Sequence, residues 1–219
     1  MKTKYISIEG GDGSGKTTLV QNLIKYLENQ KIKFLLTKEF GSDLDPACSE
    51  LRKIALNSTF QLDDLAAQLV FAAIVRQHQS KVIIPAIEQK KYDIILSDRG
   101  IDSNFAYGPA HGINKKSIET IFKIAYDKAV LPDITIYLDV DPLLAAYRRT
   151  KRVSEKFSNN GVDRVEQKGI SLQKEVRKNF LNLAKKNEKR IFVVEVTESK
   201  KPEDILNEVC KILNKNNVI

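Results

Sequence analysis

The chain has 219 residues, with 36 Lys+Arg against 28 Asp+Glu and a formal charge of +8. That length suits one domain with a core that needs no staples; no apolar run approaches the ~20 residues of a membrane span, and a start of MKTKYISIEG without a longer apolar stretch reads as cytoplasmic. Cys48 and Cys210 lie far apart in no metal-type spacing, which excludes a disulfide framework, and the basic excess points to an anionic partner: nucleic acid, a membrane surface or a phosphorylated small molecule.

In chain order, residues 5–9 read as a strand and 16–30 as a helix. Residues 34–37 and 93–97 read as the second and third strands, and 134–140 and 191–196 as the last two. The strands are β-branched and apolar nearly throughout, as expected when both faces of a sheet are covered. Amphipathic stretches at about 46–56, 61–92, 115–129, 142–152, 165–186 and 202–214 read as the intervening helices, which argues for βαβ units and a parallel sheet. Ser58 and Gln61 have capping-box spacing at the head of the long third helix, and Pro85 is expected to bend or interrupt it. Residues 151–161 hold few apolar side chains and include Asn159-Asn160-Gly161, so they read as a mobile surface segment inside the domain.

Gly10-Gly11-Asp12-Gly13-Ser14-Gly15-Lys16-Thr17 fits G-x-x-x-x-G-K-[ST], directly after the first strand and opening the first helix. Glycines let the backbone curl until successive N–H groups point at one anion, and the helix N-terminus adds partial positive charge. Lys16 can reach the β/γ phosphates of a nucleoside triphosphate, and the Thr17 hydroxyl can ligate Mg²⁺. The motif leaves open whether the chain is a switch, a motor-type ATPase or a small-molecule kinase. The near match to the guanine-reading N-K-x-D, Asn114-Lys115-Lys116-Ser117, lacks the Asp, and the third strand ends Ser97-Asp98-Arg99, acid followed by base, where a motor usually has an acidic pair. An arginine there suits a second anionic substrate near the metal and favours phosphoryl transfer to a phosphate-bearing acceptor.

Further elements follow in order: Thr37-Lys38-Glu39-Phe40-Gly41, Phe71-Ala72-Ala73 with Gln77-His78, Asp98-Arg99, Leu138-Asp139-Val140-Asp141-Pro142 with Arg148, and Asp163-Arg164-Val165-Glu166. With the Gly10–Thr18 loop they resemble the thymidylate kinase family over essentially the whole chain. The resemblance implies a three-layer P-loop NTPase fold: an α/β domain spanning residues 1–219, with a five-stranded parallel sheet flanked by helices and a mobile lid at about 149–164. It implies ATP and Mg²⁺, bound through the loop residues including Thr18, with Thr17 and Asp98 at the metal and Arg148 on the donor adenine. On the acceptor side it places Asp12 near the sugar and its phosphate, Arg99 on the phosphate, Phe71 stacked on the base, and Asn104 and Tyr107 at the base and the sugar's 2′ position. Lys38, Glu39 and Phe40 stand where the family has Arg-Glu-Pro. Gly13 and Ser14 carry no charge, and family loops without a basic residue go with lids that supply the catalytic arginine, here Arg152 or Arg164.

Two departures stand out. Lys38 keeps the charge of the usual arginine but not its bidentate fork. The family arginine that reads thymine comes four residues after the stacking aromatic; that position is Val75, and the arginine is next door at Arg76. At 100° per residue, Leu62, Leu65, Ala66, Leu69 and Ala73 form one stripe and Phe71, Val75 and His78 lie roughly opposite. Arg76 points about 100° away from Val75 and reaches the pocket only through a long detour or a π-bulge. The expected activity is phosphoryl transfer from ATP to a (deoxy)nucleoside monophosphate, dTMP first. The alternatives are a related kinase of changed or broad base preference and, from another class, a nucleotide switch or nucleic-acid-associated ATPase. No nucleic acid and no membrane is expected as partner, and the resemblance implies a homodimer, with the third helix as interface. His78 reads as structural or pocket-lining and His111 as a surface residue. Residues 145–190 hold 14 Lys+Arg against 5 Asp+Glu, so the basic excess is concentrated there and reads largely as a phosphate clamp.

Overall fold

The five β-branched runs become five parallel strands: β1 (Lys4–Gly10), β2 (Phe34–Lys38), β3 (Ile94–Asp98), β4 (Ile134–Val140) and β5 (Ile191–Val196). The computed structural model describes residues 2–155 and 169–219, with side chains described through Lys151 and again from Gly169. Most of the expected lid, with Arg164 and the side chain of Arg152, therefore lies outside the described residues. The sheet order is β2-β3-β1-β4-β5, which makes β1 the central strand. Every residue of β4 is buried, as are six of the seven in β1, consistent with helices on both faces.

On one face α1 (Lys16–Asn29) and α9 (Pro202–Lys215) pack Leu19, Leu23, Val209 and Leu213 against Ile6, Ile8, Ile136 and Val194. On the other, α5 (Ile101–Ala110) and α8 (Gly169–Lys186) bring Ala106, Leu172, Val176 and Phe180 over Tyr137, whose ring stacks on Phe180 at 4.5 Å. Beside α5, Phe40, Val75, Ile118 and Phe122 form a further cluster that joins α3 (Asp64–His78) to α6 (Lys115–Ala125). α2 (Pro46–Leu56), its N-terminus capped by Asp45, packs alongside α3, and α7 (Pro142–Glu155) follows β4. Among the described residues no helix is long and apolar enough to cross a membrane.

Two expectations about helices are corrected, and a third, the interruption at Pro85, is met. The third helix is capped by Asp63, whose carboxylate accepts from the N–H groups of Leu65 and Ala66 at 2.9 and 3.0 Å; Ser58–Phe60 is a separate 3-10 turn that Gln61 ends in a left-handed conformation. A single oxygen of Asp63, Oδ1, serves both orphan donors in place of a hydroxyl further upstream. The long helix itself divides into α3, a π-helical turn (Gln79–Ile83) and α4 (Ile84–Glu88). Pro85 is the physical reason, because its ring crowds the carbonyl four residues back, at Lys81, and the wider turn relieves the clash. The segment after Asp98, absent from the predicted helices, is helix α5 although it contains Gly108 and Pro109.

That helix starts where it does because a partner far away in sequence caps it. The buried Glu9 carboxylate, at the end of β1, accepts from the Gly100 N–H at 2.8 Å, the Ser103 N–H at 3.0 Å and the Ser103 hydroxyl at 2.7 Å. An anion at a helix N-terminus meets the positive end of the dipole as well as the orphan N–H groups. Below it, Asp102 is buried against Thr135 and takes a two-pronged ion pair from Arg190, with contacts of 2.7 and 2.8 Å.

Candidate active site

The loop after β1 curls as its glycines allow. Gly13 adopts φ +87°, and a Cβ there would lie 2.4 Å from the Ala145 carbonyl oxygen of α7, so this residue must be glycine both for its conformation and for the close approach. Gly15 caps α1 with no side-chain hydrogen bond, and the first turn of α1 holds no acidic residue, so its N–H groups are left to an external anion. The Ser14 hydroxyl is buried with no hydrogen-bond partner among the described residues. Lys16 is buried and folds back, its ammonium donating to the carbonyls of Gly10 and Gly11 at 2.9 and 3.1 Å. Burial, with the nearby Arg99 charge, lowers its pKa to about 8.

Arg99 follows β3 in a left-handed conformation, φ +70°, which an L side chain adopts at a cost. Its N–H donates to the Ile8 carbonyl at 2.9 Å, extending the β1–β3 ladder by one rung. The guanidinium then crosses the seam between loop and cleft. It pairs with Asp12 at 3.0 Å, donates to the Gly10 carbonyl and Ser103 hydroxyl at 3.3 Å, and lies 5.2 Å over the Tyr107 ring. Burial disfavours its charge, but Tyr107, Asp12 and Glu9 more than compensate and hold it firmly protonated. Asp12 is affected in the reverse sense: burial pushes its pKa up, and Arg99 and Lys16 outweigh that and hold it below the ordinary carboxylate value. Glu9, 3.9 Å from Arg99, is raised by burial to about 7 despite that neighbour.

Beyond Arg99 opens a cleft with about 600 Å³ of empty space, its mouth included. Asp12, Phe40, Phe71, Arg99, Asn104 and Tyr107, all expected at an acceptor site, line it. Phe71 meets Phe40 edge to face at 5.5 Å. Arg52, Gln68, Ser103 and His111 line it too, and the sequence reading assigned none of them to it; His111, expected at the surface, has its ring 3.5 Å from the Asp64 carboxylate. A single arginine or glutamine on an amphipathic helix carries no local signal of the cavity it faces. Arg52 reaches it by passing over Gly41, whose absent Cβ would stand 2.3 Å from the arginine Cδ, and donates to the Phe40 carbonyl at 2.7 Å.

Four expected acceptor residues are not brought to this cleft. Glu39 is buried beneath it and accepts from the hydroxyls of Tyr5, at 3.1 Å, and Tyr126, with His78 at 3.5 Å. His78 is accordingly structural, its other nitrogen 2.7 Å from the Thr37 hydroxyl. Val75 is fully buried in the α3–α6 cluster. Arg76 points outward and donates to the Asp127 carbonyl; the π-helical turn begins only after it, at Gln79, and so does not rotate it inward. Lys38 pairs with Asp98 at 3.7 Å. The other oxygen of Asp98, Oδ1, is buried without a hydrogen-bond partner among the described residues, and Thr17 is exposed at the head of α1. An orphaned carboxylate oxygen and a hydroxyl fit a hard, largely hydrated cation such as Mg²⁺ held mainly by phosphates; among the described residues no cluster of three His, Cys, Asp or Glu offers a full protein cage.

The basic stretch divides between two tasks. Arg149 donates to the Asp12 carbonyl at 3.1 Å and Arg148 to the Thr197 carbonyl at 3.2 Å, whereas Arg177 and Arg190 are spent on Asp139 and Asp102 within the fold. The reading of the basic excess as mainly a phosphate clamp is narrowed to that extent.

A Lys16 this poorly solvated makes a prediction. Polyphosphate binding restores the charge, so at pH 9 nucleotide binding should take up protons, visible as a binding enthalpy that depends on the buffer's ionisation heat. At pH 7 Lys16 is already charged and this uptake should vanish. A buffer-independent enthalpy at pH 9 would show that Lys16 is fully charged in the free protein.

Comparison with known proteins agrees with this geometry. A family model described as "Thymidylate kinase" matches residues 8–209. The chain is 31% identical over 217 residues to a thymidylate kinase of Ligilactobacillus salivarius, covering 98% of this chain and 99% of that one, and 35% identical over 200 residues to one of Geobacillus sp., covering 90% of each. The crystal structure of thymidylate kinase from Ehrlichia chaffeensis superposes with a TM-score of 0.72 at 31% identity, covering 98% of this chain and all of that one. With a phosphate-binding loop, an arginine at its seam and an aromatic-lined cleft beyond, matched from β1 to α9, the chain belongs to the thymidylate kinase family.

Proposed function

We propose that this protein transfers the γ-phosphoryl group of ATP to the phosphate of dTMP, giving dTDP and ADP, as one domain. The observation that carries the reading is Arg99, which touches both the loop that cradles one polyphosphate and the cleft suited to a second nucleotide. An oxygen of the acceptor phosphate attacks the γ-phosphorus and the bond to the β-phosphate oxygen breaks, so ADP leaves. The acceptor is already ionised near neutral pH and needs no strong base. The protein's task is positioning and charge neutralisation. Lys16 and the first-turn N–H groups of α1 hold the donor phosphates. Arg99 bridges to the acceptor phosphate, Asp12 keeps its guanidinium aimed, and Phe71 presents its ring to the base. Mg²⁺, held by Thr17 and through water by Asp98, would neutralise charge on the β and γ phosphates. Arg152 and Arg164 are assigned to the lid, Arg148 to the donor nucleotide, and the enzyme to the cytoplasm.

A homodimer is supported by Leu65 and Leu69, 46% and 52% exposed on one face of α3, with Ala73 beside them. The test of the activity is an acceptor panel with ATP·Mg²⁺, following ADP release with dTMP, dUMP, dCMP, the purine deoxynucleotides and the ribonucleotides. dTMP should be the best acceptor; activity with none of them would overturn the assignment.

A further inference from the structure

Neither Val75 nor Arg76 reaches the cleft, and two amides line it beside Phe71. Gln68, one turn before Phe71 on α3, is 5% exposed and faces Asn104 of α5, 3% exposed; the Gln68 side-chain nitrogen donates to the Asn104 oxygen at 3.3 Å. Both line the cleft beside Phe71. Because the Asn104 oxygen is engaged, its amide is fixed with Nδ2 as the remaining group, and that nitrogen is buried with no hydrogen-bond partner among the described residues. Leaving a buried donor unmade is costly, and a pair of amides in an apolar, aromatic-lined pocket is what a polar base edge would satisfy.

Resting on the kinase reading above, we propose that Gln68 reads the acceptor base in place of the missing arginine, with Asn104 as its oriented partner. A keto pyrimidine presents a carbonyl beside an N–H. A carboxamide matches that pair with one donor and one acceptor, as amides match adjoining groups on a base edge in nucleic-acid recognition. An arginine has only donors and reads the carbonyl alone. The Gln68 nitrogen carries two hydrogens, so one can stay on Asn104 while the other meets the base, and the free hydrogens of Asn104 add a second donor. A 4-amino pyrimidine reverses the polarity of both base groups, so an amide held in this orientation by Asn104 sets donor against donor and acceptor against acceptor.

The test compares dTMP and dCMP in the wild-type enzyme and in Gln68→Met and Gln68→Glu, with folding followed by thermal denaturation. Methionine keeps an unbranched chain of similar length without the polar groups, and glutamate keeps the shape but accepts only. The expected result is a fall of about tenfold to hundredfold in the dTMP-to-dCMP ratio of kcat/KM in both variants, carried mainly by the KM for dTMP, and deepest in Gln68→Glu. A ratio within about twofold of wild type in both, whether or not overall activity falls, would overturn the proposal, since a merely structural glutamine lowers both acceptors together. Wild-type enzyme that phosphorylates no monophosphate would overturn the kinase reading itself, before any variant is made.

Discussion

Replacing Lys16 by alanine should lower turnover by about 10³-fold or more while the fold survives. The loss is large because no neighbour stands in the same place: the α1 N–H groups supply partial charges, and Arg99 and Arg149 touch the loop at Gly10 and Asp12, but it is the Lys16 ammonium that folds over both the Gly10 and Gly11 carbonyls. Stability should change little, within about 1 kcal/mol, since the two hydrogen bonds lost are offset by release of an ammonium whose burial already disfavours its charge. Steady-state ADP release and a thermal melt of the same preparation check both halves. Activity within tenfold of wild type would overturn the mechanism.

Replacing Arg99 by alanine should lower kcat/KM by about 10³-fold or more, the scale of a phosphate-bridging arginine, and Arg99→Lys should recover little of it. The guanidinium reaches the Gly10 carbonyl and the Ser103 hydroxyl from one nitrogen and Asp12 from another, a fork that the single nitrogen of an ammonium does not reproduce. The variant should also show a characteristic pH dependence of stability. Glu9 titrates near 7 in the folded chain, above the ordinary carboxylate value, so the folded state holds the proton more tightly and stability declines as pH rises through that range. Arg99 limits that rise more than the hydrogen bonds from Ser103 and Gly100 do, and without it Glu9 should hold its proton to still higher pH. Arg99→Ala should therefore lose more thermal stability relative to wild type at pH 8 than at pH 6. Equal losses at the two pH values would mean that Glu9 does not depend on Arg99.

Much of the fold was legible because its signals are local. The strands are apolar on both faces and bounded by glycine, proline or charged residues, so their predicted limits differ from the observed ones by at most one residue at either end. The phosphate loop is a contiguous motif whose every residue matters, and it was read in full. What was missed depends on partners distant in sequence. α5 has poor intrinsic helicity and is capped by Glu9, 91 residues from Gly100. Glu39 follows the second strand beside Lys38 and Phe40, yet its carboxylate turns down to Tyr5 and Tyr126, which no spacing rule connects to it. Gln68 and Arg52 sit on helices whose periodicity tells which face is polar but not that a cleft lies against it. Arg76 is a mixed case, expected among the acceptor residues although its one-residue offset argued against that. Helical phase alone placed it off the pocket, and the structure keeps it on the outer face.

The rung between the Arg99 N–H and the Ile8 carbonyl has a mechanical meaning. The phosphate loop hangs from β1 and Arg99 from β3, and those strands are hydrogen-bonded neighbours in register Ile8↔Asp98. The separation between the root of the loop and the Arg99 backbone is therefore anchored to one interstrand spacing, about 4.8 Å. The sheet acts as a ruler whose length side-chain substitutions cannot alter, because only the backbone ladder sets it. That separation holds until the central strands themselves part.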